Sequence, residues 1–547
     1  MSQMLKSSGA MGAATLTSRI LGMVREMVYA NFMGDTPVAS AFKLAFQIPN
    51  LFRRLLGEGA LSAAFIPIFK DKERNASEAE MWRAANAVLS GLVIAAAVIV
   101  GVALVGISLA LALGAPKPFT GLSTAPLEWS GLDGVSGELM TRGWFSANTV
   151  LMLRLLQIMF PYMLLVCVAA VFMGMLNARG HFFIPALSAT MLNVVMIASV
   201  LLLAPRMGTR LETQIFALAI GVLVAGVAQA GFQLPALFRE GFHFQWVTPW
   251  NNEVVGQVVR KMVPGMMGVA AFQINVLLTN TLGYCVDQKI VASFDYAVRL
   301  MELPQGVFGI SLATYLLPAL SGLAAEKRYP EFRDTLKQGL GYLLFVNLIA
   351  SILLTIMAEP IVRLLFERGE FDMFSTRRAA LALGCLAPGL IAFSFVNILA
   401  RAFFALGDTK TPMIISAMCL GLNLLFAFIL VVPLRQGGLA LANTLSASFN
   451  VWLLYYALRR KLPKLELGSI RTHLWGLASS GVLAGIVAWV AHGLWERQVG
   501  HAGLPARLGA AFVPLIAATG AYFGAALWLK IPQAKEMLAL IRGRLGR

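Results

Sequence analysis

Five basic residues stand inside two stretches that are otherwise apolar enough to cross a membrane. The first reads T-L-T-S-R-I-L-G-M-V-R-E from Thr15 to Glu26, and the second reads K-L-A-F-Q-I-P-N-L-F-R-R-L-L-G-E from Lys43 to Glu58, with a break at Gly34-Asp35 between them. Arg19, Arg25, Lys43, Arg53 and Arg54 are the five. A charge within a bilayer costs about 2.5–3.5 kcal/mol on insertion scales, so such residues usually face a protein interior or a watery cavity. At about 100° per residue, Lys43, Gln47, Asn50, Arg54 and Glu58 share one face of a helix. Thr15, Arg19, Gly22 and Glu26 share a face of the preceding helix, with Arg25 to one side. Two chemistries fit these stripes. One is a cationic, wet cavity that receives an anion. The other is internal pairing, with Arg19 and Arg25 neutralised by Glu26 and Glu58 or reaching for the interface. Five cations against two carboxylates favour the cavity.

A third constellation lies further along. In F-D-Y-A-V-R-L-M-E-L-P-Q-G, Asp295, Arg299 and Glu302 follow one another at helical spacing. That places a cation between two acids on one face, as a cavity wall or as a structural ion cluster. Gln273 and Asn280 are seven residues apart on another apolar stretch, placed to meet a sugar or peptide amide or to bond between helices.

The helices that must position these groups follow from composition. The chain has 547 residues, is 58% hydrophobic and 13% charged, and has a mean hydropathy of +0.74. Soluble domains are roughly 45–50% apolar and 25% charged. The expected class is an all-α polytopic membrane protein. Spans of about 20 apolar residues fall near 12–33, 37–57, 85–113, 149–175, 183–204, 213–237, 261–284, 290–320, 338–358, 379–405, 411–433, 437–457, 472–494 and 508–529. That makes about 14 transmembrane helices. A short interfacial helix is expected within 359–378. Gly-, Pro- and Ser-rich residues 114–148 read as the longest outer loop.

The net charge of +17 would suggest nucleic acid in a soluble protein. Here it reads instead as basic loops facing the cytoplasm and anionic lipid, so no nucleic-acid partner is expected. With the N-terminus inside, inner segments carry 24 Lys and Arg and outer segments 12. Both termini are therefore expected in the cytoplasm. Cys167, Cys285, Cys385 and Cys419 have no metal-ligand spacing and read as apolar packers, with Cys285 the accessible exception. No Walker loop, H-E-x-x-H or nucleophile–base pair is legible, so ATP hydrolysis by this chain is not expected.

Residues 239–257 form a charged, aromatic break. The expected organisation is an N-terminal lobe (1–238), a linker (239–260), a C-terminal lobe (261–464), and a helix pair with a basic tail (465–547). A weak internal repeat agrees with it. Gly180 then Pro185 resembles Gly407 then Pro412, each pair a tight turn between spans with an Asn (Asn193, Asn423) deeper in the next one.

Four segments carry a family resemblance. S-R-I-L-G-M-V-R-E, F-Q-I-P-N-L-F-R-R-L-L-G-E-G-A-L-S-A-A-F-I-P, R-L-M-E-L-P-Q-G-V-F-G and A-R-A-F-F-A-L-G-D-T-K-T-P are similar to the MurJ (MviN) family of bacterial lipid II flippases, and the similarity runs through essentially the whole chain. The resemblance implies a fold of the multidrug/oligosaccharidyl-lipid/polysaccharide exporter superfamily. Two six-helix lobes form a V around a central cationic cavity, and the last two helices form a groove for a polyprenyl tail. It implies a substrate-binding role for Arg19, Arg25, Arg53, Arg54 and Arg299 at a diphosphate. Glu26 and Glu58, with Glu302, become cavity acids; Lys43, Gln47, Asn50, Gln273, Asn280 and Asp295 line the polar surface. The chain departs from the pattern at Val298 and Ser40, where the family commonly has acids.

Several expectations follow. The chain is a transporter rather than an enzyme. It flips lipid II between leaflets of the bacterial cytoplasmic membrane by alternating access, as a monomer among membrane lipids and beside the cell-wall synthesis machinery. Another polyprenyl-diphosphate glycan, or a drug or cation in an antiporter, is the alternative cargo. No cofactor is expected; a coupling ion, Na⁺ or H⁺, has no legible site.

Overall fold

The computed structural model describes residues 2–56, 60–114, 145–462 and 468–545. These residues are helical apart from turns and one extended segment, and the chain divides into two compact units. Unit 1 comprises Met1–Tyr29 and Thr36–Gln273; unit 2 comprises Ala30–Asp35 and Ile274–Arg547.

Unit 1 contains most of α1 (Ser2–Met33), then α2 (Pro37–Leu56), α3 (Ala60–Asn75), α4 (Glu78–Gly114), α5 (Ala147–Met159), α6 (Tyr162–Ala178), α7 (Phe183–Ala198), α8 (Leu211–Gly231), α9 (Leu234–Arg239) and the first part of α10 (Glu253–Val286). Helices α5 and α6 form one bent apolar pair, broken by 40° next to Pro161, whose ring cannot continue an uninterrupted hydrogen-bond ladder. The core between α3, α4, α6 and α9 buries Phe65, Phe69, Trp82, Phe172 and Phe242 with their rings edge-on or tilted. Such ring pairs add roughly 0.5–1.5 kcal/mol beyond their area.

Unit 2 contains the rest of α10, then α11 (Ile290–Pro304), α12 (Ser311–Ala325), α13 (Tyr329–Ile356), α14 (Ala358–Phe366), α15 (Met373–Leu386), α16 (Gly389–Ala405), α17 (Lys410–Leu434), α18 (Gln436–Lys461), α19 (Gly468–Gln498), α20 (Leu504–Trp528) and α21 (Pro532–Leu545). A π-helical segment, Gln305–Ile310, joins α11 to α12. One core lies between α12, α13, α16 and α18. A second joins α13 to α19 and α20, where buried Tyr522 donates a hydrogen bond to the Phe345 carbonyl at 2.8 Å.

Each expected span coincides with a helix or helix pair. By length and composition alone, seven of the described helices qualify as spans, and nine do if each bent pair is one span. Helices α1 and α2 are not among them, as expected from their charges. The short helix expected within 359–378 is α14. Helix α21 was not foreseen, because its apolar residues are too few to signal a span. Gly180 and Gly407 take positive φ and close their turns alike. His181 N–H donates to the Leu176 carbonyl at 2.8 Å, and Asp408 N–H donates to the Phe403 carbonyl at 2.9 Å. This six-residue closure is a common helix ending when a left-handed glycine is available. Cys167 and Cys419 are buried, Cys385 is half-buried and Cys285 is exposed.

Candidate functional site

Two basic residues of unit 1, Arg25 and Lys43, meet at one carboxylate. Glu26 on α1 is buried, with its side chain 3% exposed. Arg25 Nη2 donates to Glu26 Oε1 at 2.6 Å, and Lys43 Nζ on α2 lies 3.6 Å from Glu26 Oε2. Arg25 Nη1 donates to Asn193 Oδ1 on α7 at 3.0 Å, and its guanidinium lies 5.4 Å from the centre of the Tyr29 ring. Asn193 Nδ2 in turn donates to the Ser18 carbonyl at 3.2 Å. The amide thus ties α7 to α1 and orients the Arg25 fork. Two cations share one anion in a helical interior, where effective dielectric constants are well below that of water.

Another polar contact of an expected site residue is looser. Arg54 Nη1 on α2 lies 3.5 Å from Gln273 Oε1 on α10, at the long limit for a hydrogen bond. Gln273 is buried. Arg19, Gln47 and Asn50 are half-buried on α1 and α2. Glu58 and the Arg53 side chain lie outside the described residues.

The remaining expected residues belong to unit 2. Arg299 Nη1 donates to Glu302 Oε2 at 3.0 Å, both on α11 and both partly exposed. Asp295, one turn earlier, is half-buried, as is Asn280 on α10. The division between units falls directly after Gln273, so Gln273 is assigned to unit 1 and Asn280 to unit 2.

Of the two chemistries read from the sequence, internal pairing appears here: Arg25 pairs with Glu26, and Lys43 reaches the same carboxylate. Asn193 is the residue that sequence reasoning placed only as a repeat marker. Its signal was present: an Asn deep in an apolar helix needs a polar partner, and here the partner is a site arginine. Its counterpart Asn423 instead donates to Asn443 Oδ1 at 3.0 Å, a bond between α17 and α18. Among the described residues, no group of three His, Cys, Asp or Glu is placed to hold a metal ion.

The fold and this cluster define a polytopic α-helical membrane protein with charged residues set among its apolar helices. Comparison narrows the class. The model of the family described as lipid II flippase MurJ matches residues 29–118 and 137–508. A Haemophilus influenzae protein named probable lipid II flippase MurJ is 32% identical over 456 residues, covering 82% of this chain and 84% of its own. A Bdellovibrio bacteriovorus protein of the same name is 30% identical and covers 98% and 96%. The chain belongs to the MurJ family. Among solved structures, a lipid II flippase MurJ in an inward closed conformation superposes with TM-score 0.70 at 20% identity, covering 94% of this chain and 99% of that one. An inward-facing multidrug transporter of the MATE family superposes at 0.64 with 13% identity, covering 83% and 98%. These two likenesses bear on the fold.

Proposed function

We propose that this protein is a transporter that carries lipid II from the inner to the outer leaflet of the bacterial cytoplasmic membrane by alternating access, with both termini in the cytoplasm. The observation that carries the reading is the Arg25–Glu26–Lys43 group. A drug or cation antiporter needs acidic or aromatic residues where this chain places surplus positive charge. A diphosphate suits a guanidinium, which stays charged and meets phosphate oxygens with two parallel N–H groups. In this reading Arg25, oriented by Asn193 and Glu26, contacts the diphosphate together with Arg19 and Arg299, and Arg53 and Arg54 assist entry or closure. The isoprenoid tail, which can stay in hydrocarbon, rides between α19 and α20.

Two negative charges moving outward through an inside-negative potential of about 100 mV gain roughly 4–5 kcal/mol, provided that the arginines do not travel with them. That is enough to bias the cycle without ATP. Collapse of the potential should therefore slow flipping in cells.

The central test is exposure of lipid II on the outer leaflet of cells depleted of their own flippase and supplied with this chain. Wild type should restore exposure; Arg19→Ala, Arg25→Ala and Arg299→Ala should not, at equal membrane levels. Failure of well-inserted wild type points to another polyprenyl-diphosphate glycan. Normal activity of the alanine variants makes the arginines structural and removes the mechanism.

A further inference from the structure

Among the described residues, 241–252 are the one extended stretch joining two helices of unit 1, and they are not loose. The strap lies along one face of α4. Phe242 is 1% exposed and seats its ring against Trp82 and Phe172 at 5.5 and 5.9 Å. One turn on, Asn86 Nδ2 donates to the His243 carbonyl at 2.9 Å. One turn further, Ser90 Oγ accepts from Val247 N–H at 3.3 Å. A Cβ on Gly91 would come within 3.2 Å of Pro249 Cβ, so a glycine there lets the proline lie close. Asn86 and Ser90 are buried, and both serve the strap's backbone. Such service matters where water is scarce, because an unsatisfied backbone group in a bilayer costs several kcal/mol.

The length of α4 sets the depth. It has 37 residues, so at about 1.5 Å each it is roughly 55 Å long, against a hydrocarbon core of about 30 Å. From Leu92 on it is apolar apart from Ser108, and Val98, Val102, Val105, Leu109 and Leu113 there are exposed. The strap is pinned between Trp82 and Gly91, in the turns just before that part. From this position Phe244, Trp246 and Trp250 project outward, 56%, 58% and 71% exposed. Exposed basic residues flank it: Arg83 on α4, Arg239 on α9, and Arg260 and Lys261 on α10. Of the acids at its ends, Glu240 is engaged by Arg179 and His181, Glu78 beside Gly241 lies 3.9 Å from Arg179, and exposed Glu253 accepts from Gln257.

We propose that the strap is a membrane-interface anchor. It sets Phe244, Trp246 and Trp250 among the lipid headgroups at the edge of the hydrocarbon, beside basic residues that favour anionic lipid. The indole rings of Trp246 and Trp250, apolar with one N–H, suit this depth, Phe244 adds apolar surface beside them, and a rigid backbone lets them fix the position of α4 in the leaflet. The inference requires only that the chain spans a membrane and is independent of the cargo.

The test uses the full chain in vesicles, comparing wild type with Trp246→Phe/Trp250→Phe. The difference in tryptophan emission reports those two rings. Lipids brominated near the headgroup should quench it more than lipids brominated deep in the chains, and acrylamide should quench it weakly. Strong acrylamide quenching with no lipid quenching puts the rings in water and overturns the proposal. Protection from both quenchers puts them against protein and overturns it equally. In vesicles mixing phosphatidylglycerol with phosphatidylcholine, Arg260→Gln and Lys261→Gln should each reduce retention of the anionic lipid by about fivefold. Unchanged retention overturns the electrostatic half.

Discussion

Replacing Glu26 by glutamine tests the reading of the basic cluster most directly. The substitution keeps the volume and one hydrogen-bond acceptor but removes the charge that Arg25 and Lys43 share. At an effective dielectric constant of about 20, an ion pair at 3.6 Å is worth about 4–5 kcal/mol in Coulomb energy and one at 2.6 Å about 6, before desolvation. Desolvation offsets much of this, yet it is not recovered when only one partner is removed. Breaking a buried pair in that way costs about 3–5 kcal/mol. All three side chains are close to buried: Glu26 is 3% exposed, Arg25 11% and Lys43 8%. Because the new amide oxygen would still accept from Arg25, the lower end applies, about 3 kcal/mol. The assay is unfolding of the purified protein in detergent, followed by tryptophan emission and by helix content. Lys43→Met should cost less, since Glu26 keeps Arg25. The double variant Glu26→Gln/Lys43→Met should then be less destabilised than the sum of the singles, by about 1–2 kcal/mol. A loss below about 1 kcal/mol for Glu26→Gln, or simple additivity in the double variant, would show that the three charges do not act as one group.

Three further outcomes are expected. In unit 2, buried Asp35 accepts from Arg378 Nη2 at 2.7 Å and from Ser375 Oγ at 2.6 Å, so Asp35→Ala should lower stability by about 3 kcal/mol and loosen Ala30–Asp35 in hydrogen exchange. An unchanged exchange rate there would contradict the role of this pair. At the loop ends of unit 1, Lys70, through its hydrogen bond, and Arg179 hold the Glu73 carboxyl below its ordinary value of 4.5, and hydrogen bonds from His181 and Arg179 do the same for Glu240. Their contribution is present above pH 4.5 and is lost as the pH falls through the lowered values, so protection from exchange at residues 72–76 and 240–243, measured against the intrinsic rate at each pH, should fall in acid and hold between about pH 6 and 8. Finally, a Cβ on Gly438 would lie 2.1 Å from the Leu430 carbonyl oxygen, backbone against backbone. Gly438→Ala should therefore disrupt the α17–α18 hairpin and reduce folded yield several-fold, whereas Gly421→Ala, with open space around it, should not.

Much of this protein was legible without coordinates, because a bilayer allows few solutions. A chain that must satisfy its backbone in hydrocarbon becomes helical, and hydropathy marks where. The glycine turns at Gly180 and Gly407 were equally readable, since local backbone geometry needs a residue that tolerates positive φ. The charges inside the first two helices were visible too, and so was the surplus of cations over carboxylates. What sequence could not decide was which charge meets which. Glu26 was a candidate partner for Arg19 or Arg25; packing gave it to Arg25 and added Lys43 from the next helix. Asn193, 168 residues from Arg25, became part of the site because α7 packs beside α1. The aromatic break after Arg239 was legible as a break; that Asn86 and Ser90 hold it against α4 was not. Helical periodicity constrains neighbours along the chain, three or four residues apart. Pairings between helices depend on how their faces pack and on which buried polar groups still need partners, and those are settled only in three dimensions.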